Sequence, residues 1–112
     1  MKDIKSALEV FVDSSIKHSE ATEQGDYKKA NKNYDIIINT VKFLKSEDAM
    51  QQLLEYLSSP MIGVRLWSSY YCLPLNESEA LKVLEDIEKS PGILSLTAET
   101  IIDEWKKGNL KY

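Results

Sequence analysis

Apolar residues in this chain return every three or four positions, and in its second half the whole pattern recurs at an offset of 31 residues. Ala49 corresponds to Ala80, Met50 to Leu81, Leu53 to Leu84 and Tyr56 to Ile87. Ser59-Pro60 corresponds to Ser90-Pro91, and Ile62 to Ile93. Trp67, Tyr70 and Tyr71 then fall in register with Ala98, Ile101 and Ile102. Each unit reads as helix, Ser-Pro turn, helix. A helical hairpin cannot bury its apolar side alone, so repeated hairpins stack on one another. No segment sustains a period of two, so no strand is predicted.

The first half supplies a less regular hairpin. Ile4, Leu8, Phe11, Ser15 and His18 share one helical face with Ala7 beside them, Asp3 is placed to cap the start, and Gly25 ends the segment. Tyr27, Ala30, Tyr34, Ile37, Val41 and Leu44 form a second stripe, with Asp26 as its N-cap. Ser46 is expected to open a third helix that buries Met50, Leu53, Leu54 and Leu57, and Pro60 to stop it. A fourth helix runs from Ile62 to Leu73. A fifth, capped by Asn76 with Glu79 three positions on, packs Ala80, Val83, Leu84 and Ile87. A sixth runs from Leu94 to Lys107, with Ala98, Ile101, Ile102 and Trp105 as its face and Gly108 as its stop. The expected fold is a single all-α domain spanning 1–112. It consists of about six helices in three stacked antiparallel hairpins, residues 3–45, 46–73 and 76–108, forming a short right-handed α-solenoid.

Composition excludes several functions. The 112 residues suffice for one core. Net charge is −4, with 14 Lys and Arg against 18 Asp and Glu. Nucleic-acid binders draw most of their affinity from a basic excess, so this balance argues against such a role and leaves room for a basic partner. One His, His18, and one Cys, Cys72, cannot assemble a His/Cys metal site, and no cofactor motif is present. His18 sits on an apolar face and is expected to be partly buried and hydrogen-bonded. The acids Glu85, Asp86 and Glu88 read as a solubilising outer face, so no enzymatic activity is expected. The charged start and the lack of a long apolar run point to a cytoplasmic chain with no membrane span.

The stretch Ser59 to Leu73 carries a Pro in the inter-helix turn, then Val64-Arg65, two small residues Ser68-Ser69, and Leu73. That order resembles a HEAT repeat. Gly25-Asp26 precedes a helix with Asn31-Lys32, and Ala98-Glu99-Thr100 leads to Glu104-Trp105-Lys106-Lys107-Gly108. The full layout, over roughly residues 7 to 110, resembles the bacterial HEAT-like domain-of-unknown-function family 2019, which more often has two Ala at Ser68-Ser69. The resemblance implies an all-helical, non-catalytic protein of the kind encoded beside polymorphic and contact-dependent toxins. Such a protein acts as an immunity protein: it binds and occludes a cognate toxin domain, commonly a basic nuclease, as a monomer within a heterodimer. A HEAT-like adaptor binding another protein is the alternative.

Candidate contacts follow. The fourth helix is apolar on two sides: Ile62, Leu66, Ser69 and Leu73 on one, Val64, Trp67 and Tyr71 nearly opposite. Either it is a middle layer buried twice, or Trp67 and Tyr71, with Tyr70, form an aromatic docking patch on the concave side. Glu99 and Asp103 point outward to meet a basic surface, and Asp26 and Asn31 belong to the family pattern at the second helix. Ile36 and Phe43 point away from the second stripe and either pack on a neighbour or present a patch. Arg65, Pro60 and Trp105 are read as structural: Arg65 pairing with an acid or loop carbonyls of the adjacent repeat, Pro60 making the turn, and Trp105 in the core.

Overall fold

A computed structural model describes residues 3–112, and Met1 and Lys2 at the charged start lie outside them. Among the described residues the elements are α1 (Ile4–Gln24), α2 (Tyr27–Ser46), a 3-10 helix (Met50–Ser58), α3 (Ile62–Cys72), α4 (Glu77–Lys89) and α5 (Leu94–Lys106), with no strand. They pair as three antiparallel hairpins: α1 with α2, the 3-10 helix with α3, and α4 with α5. Helix α3 lies between α1 on one side and α4 on the other, so the hairpins stack in chain order. The radius of gyration is 13.1 Å, that of a closed globular domain of this length.

Local chemistry sets most of the boundaries. The Asp3 side chain accepts the Ser6 N–H at 2.7 Å and caps α1; this hydrogen bond lowers the carboxyl pKa. Gly25 ends α1 at φ 72°, a left-handed turn that only glycine adopts without strain. Asp26 accepts the Lys29 N–H at 3.1 Å and starts α2. Asn76 accepts the Glu79 N–H at 3.3 Å and starts α4. Gly108, at φ 74°, closes α5.

The third helix departs from expectation. Ser46 is the last residue of α2, not the first of the next element. The chain then turns through Asp48 at φ 53°, and the Ala49 N–H bonds back to the Leu44 carbonyl at 2.9 Å. This turn uses up the residues that the 31-residue repeat assigns to a first helical turn. What remains, Met50–Ser58, is a 3-10 helix with no side-chain cap. At a rise of about 2.0 Å per residue it reaches about 18 Å, close to the length of α3 at about 1.5 Å per residue. A tighter, longer-pitched helix therefore still covers its partner with fewer residues, burying Leu53 and Leu57.

The core runs through the stack from Ala7 and Phe11 through Leu53, Leu66 and Leu73 to Leu84, Ala98 and Ile102. Both apolar sides of α3 are covered, which makes it the middle layer. Phe43 packs partly against the core, while Ile36 borders a surface groove. Backbones approach closely where α1 meets α3. A Cβ added to Gly63 would lie 2.6 Å from the Ser15 carbonyl oxygen and 2.5 Å from Ser19 Oγ. Ser68 and Ser69 are fully buried, and their hydroxyls donate to the Arg65 and Leu66 carbonyls at 3.3 and 2.9 Å. Serine thus fits a seam where two alanines would, because the helix itself satisfies the hydroxyls.

Candidate functional site

Two of the sequence-predicted contacts, Trp67 and Asn31, line a cleft of about 370 Å³ where α2 and the start of α5 rise on either side of Trp67. Tyr27, Asn31 and Tyr34 come from α2, His18 and Thr22 from α1, and Ile93 and Thr97 from the α5 end. Tyr27 is 80%, Ile93 47% and Tyr34 38% exposed. Tyr27 and Tyr34 were expected on the buried stripe of their helix. Ala30, Ile37, Val41 and Leu44 of that stripe are buried, but the first turns of α2 leave the two tyrosines in water.

Trp67 and Tyr71 are each only 7% exposed. This corrects the docking-patch reading, in which they reach solvent: the layers above and below α3 cover them. Trp67 instead forms the cleft floor. Its Nε1 donates to His18 Nδ1 at 3.2 Å, and the two rings meet edge-on at 5.0 Å. Accepting at Nδ1 places the neutral imidazole's proton on Nε2. Burial pushes the His18 pKa below its ordinary value, which favours that neutral form. His18 is thus partly buried and hydrogen-bonded, as its position on the α1 face implied.

The aromatic surface continues past Tyr34, whose ring lies 5.5 Å from that of Trp67. Tyr34 also borders a second slot, of about 210 Å³, with Tyr70, Tyr71 and Tyr112, rimmed by Lys42, Lys45 and Lys111. Tyr70 is half-buried. The Tyr112 hydroxyl donates to the Tyr70 carbonyl at 2.8 Å, and its ring packs tilted against Tyr70 at 5.3 Å and edge-on to Trp105 at 6.2 Å. Burial, more than the neighbouring tyrosines, raises the Tyr112 and Tyr71 hydroxyls well above the usual tyrosine range, so both stay neutral. Burial likewise pushes the Cys72 thiol up to about 12, far from a nucleophilic thiolate.

The remaining expected residues scatter. Glu99 and Asp103 are exposed on α5 and line neither recess. Asp26 is exposed outside both recesses, and its carboxylate caps α2. Arg65 is structural, but Nη1 donates at 2.7 Å to the Ser59 carbonyl of its own turn, not to a neighbouring repeat. Pro60 is exposed in that turn. Trp105 is only partly buried; its Nε1 donates to Glu77 Oε2 at 2.6 Å at the edge of the α4–α5 hairpin, so it is not the core residue its stripe implied. Thr22, Tyr27, Tyr34, Ile93, Thr97 and Tyr112 are the site residues that spacing did not single out. Among the described residues no three His, Cys, Asp or Glu side chains are placed to hold a metal ion. None of the described helices is long and apolar enough to cross a membrane.

No family model matches the sequence, and no curated protein matches it. The crystal structure of the protein RPA1889 from Rhodopseudomonas palustris CGA009 is similar in fold. It superimposes with a TM-score of 0.87 at 19% identity, covering 100% of this chain and 95% of that one.

Proposed function

We propose that this chain is a non-catalytic protein-binding module that receives a partner in the aromatic cleft above Trp67. The observation that carries the reading is the exposure of Tyr27, Tyr34 and Ile93 around one recess of about 370 Å³. Tyrosines beside a well-packed aromatic floor are the residue types that dominate protein–protein binding energy. A rigid floor also lowers the entropy lost on docking. In its specific form the proposal is an immunity protein of the cytoplasm that occludes a cognate toxin domain, which the resemblance around Val64-Arg65-Leu66-Trp67 supports. Glu99 and Asp103, exposed on α5 outside the cleft, then supply a separate acidic contact to a basic nuclease.

A second reading, an adaptor for another protein, is favoured by one observation. The residues that line the cleft include no Lys, Arg, Asp or Glu, so nothing inside it selects a basic partner. Co-expression with a toxin domain encoded beside this gene tests the first reading, and a gene with no toxin beside it removes most of its support. Co-purification and protection of the cells are expected. A toxin that still kills contradicts the reading for that pair. Glu99→Lys with Asp103→Lys separates the two: it weakens toxin binding and leaves an adaptor's partner bound.

A further inference from the structure

The charge of this acidic chain is unevenly placed. Helix α2 carries five lysines against one acid, Asp35, whereas α4 and α5 together carry eight acids against three lysines. On the side of α2 away from Tyr27, Asn31 and Tyr34, a groove of about 790 Å³ runs between α1 and α2. Lys17, Lys28, Lys29 and Lys32 line it, and Val10 and Ile36 give it apolar ground. Among the described residues the one ion pair is Lys17 to Asp13, at 3.0 Å. Lys28, Lys29 and Lys32 therefore meet no carboxylate of the described chain, although acids outnumber bases overall. Like charges on adjacent and i, i+3/i+4 positions of one helix repel, so holding three of them together is a local cost without a local return.

We propose that this groove is a second docking surface and that its occupant is an acidic segment of a protein partner with apolar side chains that reach Val10 and Ile36. Charge complementarity selects an acidic occupant. A phosphate backbone fits less well for two reasons. Asp13 and Asp26 stand on the groove walls, and a peptide can space its acids to avoid them, whereas a continuous line of phosphates cannot. The apolar ground at Val10 and Ile36 offers phosphates nothing, whereas it seats the apolar stripe of an amphipathic segment. The surface is independent of the Trp67 cleft and does not rest on the function proposed for it.

The test uses a fluorescent glutamate-rich amphipathic peptide with leucines at helical spacing, a second peptide with alanine at those leucines, and single-stranded DNA, titrated into the full chain. The expected result is saturable binding of the leucine peptide that weakens steeply with salt. The alanine peptide and DNA should bind at least about tenfold more weakly. Lys28→Glu/Lys29→Glu/Lys32→Glu should lose at least about tenfold in affinity with its melting temperature unchanged, while Lys42→Glu/Lys45→Glu, at the other slot, should bind as the parent does. Three results overturn the proposal. One is no binding, or binding that the triple variant retains. Another is DNA bound as tightly as the leucine peptide, which makes the groove a polyanion site. The third is self-association in sedimentation that the triple variant abolishes, which makes the occupant a second copy docking its acidic α4–α5 face.

Discussion

Helices α3 and α2 use the same kinds of residue to opposite ends. Of the 11 residues of α3, eight are buried, among them a tryptophan and a tyrosine. Of the 20 residues of α2, six are buried, and two of its tyrosines stand in water. Helix α3 is held on two sides by α1 and α4, with the 3-10 helix beside it, whereas α2 rests chiefly on α1. Aromatic side chains on a twice-covered helix become structure, and on a once-covered helix they become surface. The exposed side chains of the cleft therefore come from α2 and from Ile93 just before α5, and α3 supplies the packed floor beneath them.

Substitutions can break that contrast. Leu66, fully buried on α3, should give the largest loss: Leu66→Ala is expected to destabilise by about 3–4 kcal/mol, lowering the melting temperature by more than about 10 °C. Gly63→Ala comes next. At a free helical site alanine would add roughly 1 kcal/mol of stability. Here the new methyl meets the Ser15 carbonyl and Ser19, so a net loss of about 2 kcal/mol is expected in urea unfolding. A gain instead would mean that α1 and α3 are farther apart than described. Trp105→Ala should cost about 2 kcal/mol, less than a fully buried tryptophan, because the ring is only partly covered and its main partner is the exposed Glu77.

Acid should sharpen the comparison further. Burial lowers the folded-state pKa of His18 below its ordinary 6.5, and the bond from Trp67 needs Nδ1 without a proton. The unfolded chain therefore takes up a proton at higher pH than the folded one. The stability contributed by neutral His18 is complete above about 6.5 and is lost as pH falls toward and through the folded value. Melting followed between pH 8 and 5 should show this decline, and His18→Phe should flatten it. An equal slope in the variant would place the acid sensitivity elsewhere.

Sequence spacing revealed what is local. Asp3, Gly25, Asp26, Asn76 and Gly108 mark helix ends because capping acts within three or four residues, and each sits where its chemistry implies. The double-sided pattern of Ile62, Leu66, Trp67 and Tyr71 left a middle layer and an exposed patch both open, and the burial of Trp67 and Tyr71 decides for the middle layer. Spacing failed where the outcome depends on how far a neighbour extends. Tyr27 and Tyr34 obey the same stripe as Ile37 and Leu44, yet only the latter are fully covered along α2. The turn through Asp48 erased a helical turn that the repeat implied. The His18–Trp67 bond spans 49 positions and the Tyr112–Tyr70 bond 42, so no short-range pattern encodes either. Of the candidate cleft, only Trp67 and Asn31 were singled out as contacts in the sequence, and the recess that other helices build over Trp67 was not legible.

The most direct measurement, where a toxin domain is encoded beside this gene, is the affinity for that domain of a chain carrying Tyr27→Ala, Tyr34→Ala and Ile93→Ala, read by calorimetry beside its melting curve. Tyr27 is largely exposed and should change stability by no more than about 0.5 kcal/mol, whereas Tyr34 and Ile93, each more than half covered, should cost about 1 kcal/mol apiece and leave the chain folded. Binding should fall by at least about a hundredfold. A variant that stays folded and binds with undiminished affinity would contradict the account, and the partner would have to be sought on another face.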